Sequence, residues 1–143
     1  EIHEAGAATR LMLDGDVAGG IQAAMYGSRI DMCAGVGGSP EGIVTTCAIK
    51  ALGGFIQGVL APKDEAERDR GLEAGLKFDH VYEADELVAS DNTIFVATGV
   101  TDGALVQGVR VKGPIIRTDS IILRGHSGTI RRLESDYNSA RWH

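Results

Sequence analysis

Short apolar segments that end in glycine- or aspartate-rich loops are the feature that most constrains the fold of this chain. The first segment, 7–13, ends at the Asp-Gly-Asp loop 14–16, and the second, 30–35, runs into the glycine-rich loop 35–42. Apolar residues at helical spacing follow each loop, and a third apolar segment, 55–61, comes after the second helical pattern. This repeated β-loop-α order predicts an α/β fold, a layered sheet with flanking helices, whose strands are parallel or mostly parallel.

The C-terminal half of the chain has a different pattern. A charged, solvent-facing helix is expected over 62–75 and a further strand over 92–100. Two longer strands, 114–125 and 128–138, are expected to form a hairpin around a Gly-His-Ser-Gly turn. We see no internal boundary, so residues 1–143 are predicted to form a single α/β domain.

Charge and cysteine content narrow the function classes. The net charge of -6 argues against a nucleic-acid surface, and an acidic protein that binds phosphorylated metabolites needs a divalent metal or local basic residues.

Cys33 and Cys47 lie in apolar segments and are expected to be buried free thiols in a reducing cytosol. No apolar run reaches the roughly 18 residues of a membrane span, so a cytoplasmic location is expected. The opening at Glu1, within a helix-like pattern, suggests a piece of a longer protein.

The two loops that follow the first strands are candidate ligand-binding loops, because ligands of open α/β sheets collect where strands lead into helices. Gly37 and Gly38 would let backbone N–H groups approach a ligand without a Cβ in the way. Ser39 is expected to be the N-cap and Pro40 the first helical residue. The N-terminus of this helix is therefore a candidate anion site.

The acidic residues of the two loops have several interpretations. Glu41 would lie in the first helical turn, where it could simply complement the helix dipole or act as an oxygen ligand of Mg²⁺ or Mn²⁺ beside a phosphate. Asp14 and Asp16 could be helix caps, acceptors for sugar hydroxyls or metal ligands. The glycines match neither a Walker loop nor the Rossmann spacing, so neither kind of nucleotide site is predicted.

Other polar residues are weaker candidates. The four histidines are scattered without metal-ligand spacing, and the neighbours Arg131 and Arg132 would lie on opposite faces of a strand. The loop 98–103 (TGVTDG) could border the site or be a plain turn. No positioned base lies near either cysteine in the sequence, so a thiol nucleophile is not expected.

Four segments together resemble a known family. In order and spacing, the chain is similar to the C-terminal part of class II fructose-1,6-bisphosphatase, the bacterial metal-dependent type. The resemblance implies the fold of the lithium-sensitive phosphatase superfamily, a layered α/β/α/β/α arrangement in which this chain is the second α/β unit. The matching segments are DGDVAGGI (14–21), GVGGSPEGIVTTCAIKALGG (35–54), NTIFVATGVTDGALVQGV (92–109) and SGTIRRLES (127–135).

The resemblance also implies an activity and its residues. A phosphoric monoester hydrolase of this family removes the 1-phosphate of fructose 1,6-bisphosphate in gluconeogenesis, with Mn²⁺ or Mg²⁺, and some relatives also take sedoheptulose 1,7-bisphosphate. By motif, Asp14, Gly15 and Asp16 would contact the substrate, Gly38 would contact it through its backbone, and Glu41 would be a metal ligand. No catalytic residue is assigned to this chain.

The partners implied are the sugar bisphosphate, the N-terminal half of the same protein and further copies in a homo-oligomer, with neither nucleic acid nor membrane. The family's other metal carboxylates, the threonine that helps to activate the attacking water, and a tyrosine and an arginine-containing stretch that bind substrate belong to that N-terminal half. This chain alone is therefore expected to bind poorly and not to turn over. A non-catalytic sugar-phosphate-binding or regulatory domain is the alternative, and the upstream sequence would separate the two.

Overall fold

A computed structural model describes residues 2–13 and 15–141 of the chain. Helices and antiparallel sheets both occur in that part, so the predicted α/β class is confirmed. The helices are α1 (Asp16–Ala24), α2 (Ser39–Leu52), α3 (Glu65–Glu73) and α4 (Ala84–Leu87), with 3-10 turns at Gly125–Ser127 and Ser139–Arg141. The strands are β1 (Gln57–Gly58), β2 (Tyr82–Glu83), β3 (Ile94–Thr98), β4 (Arg110–Lys112), β5 (Ile115–Arg124) and β6 (Thr129–Asn138).

Strand β5 is the centre of the larger sheet. Strand β6 pairs with it along its whole length, whereas β3 and β4 pair with its two ends on the opposite edge. All three pairings are antiparallel, and β1 and β2 form a separate antiparallel pair. The predicted hairpin is confirmed, with Gly128 at a φ of 59° closing the turn between β5 and β6.

The predicted parallel sheet is wrong for the described residues. Segments 7–13 and 30–35 contain no strand there, segment 55–61 contributes only β1, and the pairs that form are antiparallel. Apolar side chains of the first two segments are instead largely solvent-exposed, as Leu11 (93%) and Met32 (73%) illustrate. A parallel strand needs partners on its edges and cover on both faces, and the described part of the chain supplies neither to these segments.

Helix α2 begins one residue earlier than expected. Gly38 is the N-cap, Ser39 the first helical residue and Pro40 the second, where the missing N–H of proline costs nothing. The helix ends as predicted at Gly53, whose left-handed φ of 69° lets its N–H and that of Gly54 bond back to the last turn. Helix α3 begins at an Asp64 cap that accepts a hydrogen bond of 2.7 Å from the Glu67 N–H.

The hydrophobic core lies between α1, α2 and the inner face of β3 and β5. Its buried members are Ile21, Ala48, Ala51, Phe95, Leu105, Ile121 and Leu123. The two helices approach closely at Gly20, where an added Cβ would lie 2.7 Å from the Thr45 methyl group. This close packing brings the first turns of α1 and α2 to the same end of the molecule.

The prediction for the two cysteines is wrong, whereas the one for the neighbouring arginines Arg131 and Arg132 is confirmed. Both cysteines are free, but Cys33 is exposed and Cys47 half-buried, so the prediction of buried thiols is wrong. Cys33 is exposed because segment 30–35 does not join a sheet. In β6, Arg131 and Arg132 pair with Ile122 and Ile121 respectively and therefore lie on opposite faces, as predicted. Every helix in the described part of the chain is too short or too polar to cross a bilayer.

Candidate active site

The Asp-Gly-Asp loop leads directly into helix α1. Gly15 is the N-cap, with a left-handed φ of 91° that a side chain would strain, and its carbonyl accepts the first helical hydrogen bond, from the Gly19 N–H at 3.0 Å. Asp16 is the exposed first residue of the helix, and its side chain makes no capping hydrogen bond. Of the interpretations left open for Asp16, the side-chain cap is therefore excluded. Asp14 lies outside the described residues.

The carboxylate of Asp16 lies against the glycine-rich loop. A Cβ added to Gly37 would come within 2.8 Å of Asp16 Oδ2. The two loops that the sequence placed at strand-to-helix junctions are thus brought together, although the segments that precede them are not strands. Gly37 leaves just enough room for the carboxylate to reach the loop backbone.

Glu41 lies against the next glycine of the loop, Gly38. It lies in the exposed first turn of α2, and its side chain folds back so that Oε2 would collide with a Cβ at Gly38. Among the described residues, no cation pairs with the Glu41 carboxylate. No side chain caps the helix, and Pro40 has no N–H to offer. The loop thus presents a glycine backbone with two carboxylates close to it and an uncapped helix N-terminus.

The carboxylates of Asp16 and Glu41 suit a hard divalent cation, but these two side chains supply only part of its coordination shell. Carboxylate oxygens are the ligands that Mg²⁺ and Mn²⁺ prefer, and the uncapped N–H groups of α2 favour an anion close to the same place. Within residues 2–13 and 15–141, no group of three histidine, cysteine or acidic side chains is arranged to hold a metal ion. The residues present therefore fit a metal–phosphate site that needs further ligands from elsewhere.

A cavity of about 380 Å³ adjoins the first turn of α1. Gly103, the last residue of loop 98–103, and Ala104 form one wall of this cavity. Asp102 and Asp119 hold this loop by accepting hydrogen bonds from the backbone N–H groups of Gly108 (2.9 Å) and Gln107 (2.8 Å). The lining includes Arg10, Leu11, Gly15, Gln22, Gly103 and Ala104.

Arg10 was missed by the sequence analysis. The signal that could have found it is a single charged residue inside segment 7–13, which a fully buried strand would not tolerate. The structure places Arg10 in the cavity wall together with Gly15, a residue of the Asp-Gly-Asp loop.

The remaining charged pairs hold the fold together away from these loops. Lys50 Nζ contacts Asp85 Oδ1 at 2.6 Å and Asp91 Oδ1 at 3.0 Å, and the Asp85 hydrogen bond does most to raise the pKa of Lys50. The Arg117 guanidinium donates two hydrogen bonds of 2.7 Å to Asp136, which lowers the pKa of that carboxyl. Cross-strand and inter-helix pairs of this kind have structural roles.

Glu86 and His80 form another pair away from the two loops. The backbone N–H of Glu83 and then the His80 ring, 2.7 Å away, lower the pKa of Glu86. The His80 contact is local to the β2–α4 region, in keeping with the structural role expected for the histidines.

Comparison with known proteins extends over nearly the whole chain. The family model for "Bacterial fructose-1,6-bisphosphatase, glpX-encoded" matches residues 1–137. The chain is 37% identical to fructose-1,6-bisphosphatase class 2 of Haemophilus influenzae and 36% identical to fructose-1,6-bisphosphatase 1 class 2 of Escherichia coli strain K12. Each match covers 94% of this chain but only 44% of the relative, so the chain spans less than half the length of these proteins. The chain belongs to the family of bacterial, glpX-encoded fructose-1,6-bisphosphatases.

Proposed function

We propose that this chain is the C-terminal part of a cytoplasmic, metal-dependent fructose-1,6-bisphosphatase that acts in gluconeogenesis. The reaction is hydrolysis of the 1-phosphate of fructose 1,6-bisphosphate to fructose 6-phosphate and phosphate, and sedoheptulose 1,7-bisphosphate is a second candidate substrate. Family membership over residues 1–137 and the names of both relatives support the activity. The observation that carries the proposal is the pair of carboxylates, Asp16 and Glu41, that lie against the adjacent, exposed glycines Gly37 and Gly38.

Each loop residue has a proposed role that follows from its chemistry. Asp16 accepts hydrogen bonds from sugar hydroxyls, because an ionised carboxylate is an acceptor only and suits vicinal hydroxyl groups. The Gly15 and Gly38 backbones approach the substrate closely, since neither carries a side chain. Asp14, the first residue of the Asp-Gly-Asp loop, is also proposed to contact the substrate.

Glu41 is the proposed ligand of Mn²⁺ or Mg²⁺. When bound, the metal would neutralise the phosphate and polarise its phosphorus–oxygen bonds. The N-terminus of α2 helps to orient the same phosphate, because its uncapped N–H groups and helix dipole favour an anion. The Glu41 carboxylate would therefore bind the metal cation, and the N–H groups of α2 would bind the phosphate anion, at the same site.

The remaining metal ligands are proposed to come from an N-terminal half, in the layered α/β/α/β/α fold of the superfamily. The 44% coverage of the relatives leaves room for such a half. The outer face of the larger sheet also supports a covering layer, since Ile94, Val96 and Leu133 are 50–61% exposed there. An antiparallel sheet that faces water normally places polar residues outward. Assembly into a homo-oligomer is proposed on the family resemblance alone.

The test is Mn²⁺-dependent phosphate release from fructose 1,6-bisphosphate by the full-length protein, with Glu41→Gln and Glu65→Gln compared. Glu65 is the matched control, because it is also an exposed first-turn carboxylate, at the start of α3. We expect Glu41→Gln to lower kcat by about a hundredfold or more and to raise the Mn²⁺ requirement, since loss of even an outer-shell partner of a metal ligand costs about 10- to 100-fold. Glu65→Gln should behave as the wild type.

Two other results would change the conclusion. Equal behaviour of the two variants would reduce Glu41 to a partner of the helix dipole. Absence of turnover in the full-length wild type would favour the alternative, a non-catalytic sugar-phosphate-binding domain. A calorimetric titration with fructose 6-phosphate would then measure whether binding survives without hydrolysis.

A further inference from the structure

Thr45 is a polar residue on the buried face of α2. Its exposed fraction is 7%, and its hydroxyl donates a hydrogen bond of 2.7 Å to the Glu41 carbonyl, one turn earlier in the helix. A buried hydroxyl costs free energy unless it is hydrogen-bonded, and the carbonyl one turn earlier is a common acceptor for threonine in a helix. Thr45 is thereby bonded to the backbone of the proposed metal ligand.

The methyl group of the same side chain faces α1. Gly20 is buried there, and a Cβ added to it would lie 2.7 Å from Thr45 Cγ2 and 3.8 Å from Ile49 Cδ1. The first distance is well below the roughly 3.5–4.0 Å at which two carbon atoms pack best. Helix α1 therefore comes this near only because residue 20 has no side chain. The contact between Gly20 and Thr45 limits how closely the two helices can approach.

Both proposed site carboxylates lie one helical turn from this contact. Asp16 precedes Gly20 by four residues in α1, and Glu41 precedes Thr45 by four residues in α2. Residues at this spacing lie on the same face of a helix. Because a helix is stiff over a single turn, a shift of α1 against α2 at the contact would change the distance between the two carboxylates.

We propose that Thr45 is a positioning residue that acts on the proposed metal ligand through two groups. Its hydroxyl fixes the backbone of Glu41, and its methyl group, packed on Gly20, fixes the distance of Glu41 from Asp16. The inference rests on the proposed function and adds to it the residue that sets the geometry of the two carboxylates. Thr45 is given no contact with metal or substrate, because it is buried one turn into the helix.

The next residue of α2 provides a matched control. Thr46 is fully buried, and its hydroxyl donates to the Gly42 carbonyl at 2.8 Å, so it makes the same kind of hydrogen bond in the same helix. Gly42 has no side chain and no proposed role in the site. Thr45→Val and Thr46→Val each remove one buried hydroxyl with little change of shape, so the two variants should lower the thermal midpoint by similar amounts.

The experiment measures Mn²⁺ binding and Mn²⁺ activation of the full-length protein. Electron paramagnetic resonance follows the free Mn²⁺ ion and gives its affinity without turnover. We expect Thr45→Val to weaken Mn²⁺ affinity about 10-fold and to raise the Mn²⁺ concentration for half-maximal activity by the same factor, because a partner behind a metal ligand is worth about 10- to 100-fold. Thr46→Val should keep both wild-type values. Thr45→Ser, which retains the hydroxyl, should lose less than Thr45→Val.

The contact with α1 is tested by a rescue. Gly20→Ala should weaken Mn²⁺ binding and raise KM for fructose 1,6-bisphosphate, since the added methyl group meets that of Thr45. The same change should cost less in a Thr45→Ser background, where the second methyl group is absent. An equal cost in both backgrounds would overturn the role given to the methyl group. If Gly20→Ala does not fold, the comparison of Thr45→Val with Thr46→Val decides.

The outcomes separate this inference from the function on which it rests. Equal Mn²⁺ affinities in Thr45→Val and Thr46→Val, with an active wild type, would overturn the inference and leave the phosphatase in place. A full-length wild type that neither binds Mn²⁺ nor releases phosphate would overturn the proposed function and this inference together.

Discussion

The side chain of Glu41 folds back on Gly38, the residue that precedes helix α2, so that its Oε2 would collide with a Cβ at that position. Gly38 has ordinary extended backbone, with φ of -69° and ψ of 152°, so its conformation does not require glycine. Position 38 requires glycine because the Glu41 carboxylate occupies the space that a side chain would need. Asp16 stands in a similar relation to Gly37, and the two glycines therefore hold open the places that the two carboxylates fill.

Replacing Gly38 by alanine should displace Glu41 without unfolding the helix. We expect Gly38→Ala to weaken Mn²⁺ activation of the full-length protein, because the added methyl group takes the place of Oε2. Titration of phosphatase activity with Mn²⁺ measures this effect. The matched control is Gly42→Ala, one turn further on, where a Cβ meets nothing within 4 Å. That control should raise the free energy of unfolding by about 0.5–1 kcal/mol, and an unchanged Mn²⁺ requirement in Gly38→Ala would contradict the prediction.

Truncation of the core under the site should be costly. Ile121, a residue of β5, is fully buried in the core that this strand shares with α1 and α2. Ile121→Ala is therefore expected to lower the free energy of unfolding by about 2–5 kcal/mol. Leu72, half-exposed on α3, is the control, and Leu72→Ala should change this quantity by only about 0.5 kcal/mol. Urea denaturation followed by circular dichroism gives both values. Similar losses in the two variants would mean that the core does not lie where the structure places it.

Lys50 should tie the C-terminal end of α2 to α4 and the segment after it. Its side chain is only 7% exposed, and its ammonium donates to the Val88 carbonyl at 2.7 Å as well as to Asp85. We expect Lys50→Met to lower the thermal midpoint, mainly because the Val88 carbonyl loses its donor; the Asp85 carboxylate is 86% exposed and can be solvated by water instead. Lys63→Met, on an exposed segment, should leave the midpoint unchanged. Differential scanning calorimetry of both variants decides the matter, and equal midpoints would refute the role given to Lys50.

Stability should decline at acid pH in part because of Asp136. Its pKa is lower in the folded chain than in the unfolded one, since Arg117 donates hydrogen bonds to it. The stabilisation is therefore present above the ordinary aspartate pKa of about 4 and is lost as the pH falls through the lower folded value. The effect is modest, because both side chains are nearly half-exposed (43% and 46%).

Asp136→Asn should flatten the dependence of the thermal midpoint on pH below about 4, and it should lower the midpoint at neutral pH. Asp69→Asn, which removes an exposed carboxylate of α3, is the control and should keep the wild-type slope. A wild-type slope in Asp136→Asn would show that the Arg117 pair contributes nothing measurable. Thermal scans by circular dichroism over this pH range provide the comparison.

Local sequence signals predicted much of what surrounds the site. Helices α1, α2 and α3 follow the periodic apolar or charged patterns, and α2 ends at Gly53 as expected. The β5–β6 hairpin follows from alternation and a glycine-rich turn. The two candidate loops also meet, since Asp16 lies against Gly37. The roles given to Asp14, Gly15, Asp16, Gly38 and Glu41 remain proposals.

The sequence by itself determined that α1, α2 and α3 are helices, that α2 ends at Gly53 and which loop residues carry carboxylates, because these depend on side-chain periodicity and on glycine and proline within a few positions. Only the tertiary structure decided that segments 7–13 and 30–35 stay unpaired and that β3 joins an antiparallel sheet. It also decided that Arg10 enters the cavity beside Gly15. An extended segment carries no record of its partner, since strand pairing is made by hydrogen bonds to residues that are distant in the chain.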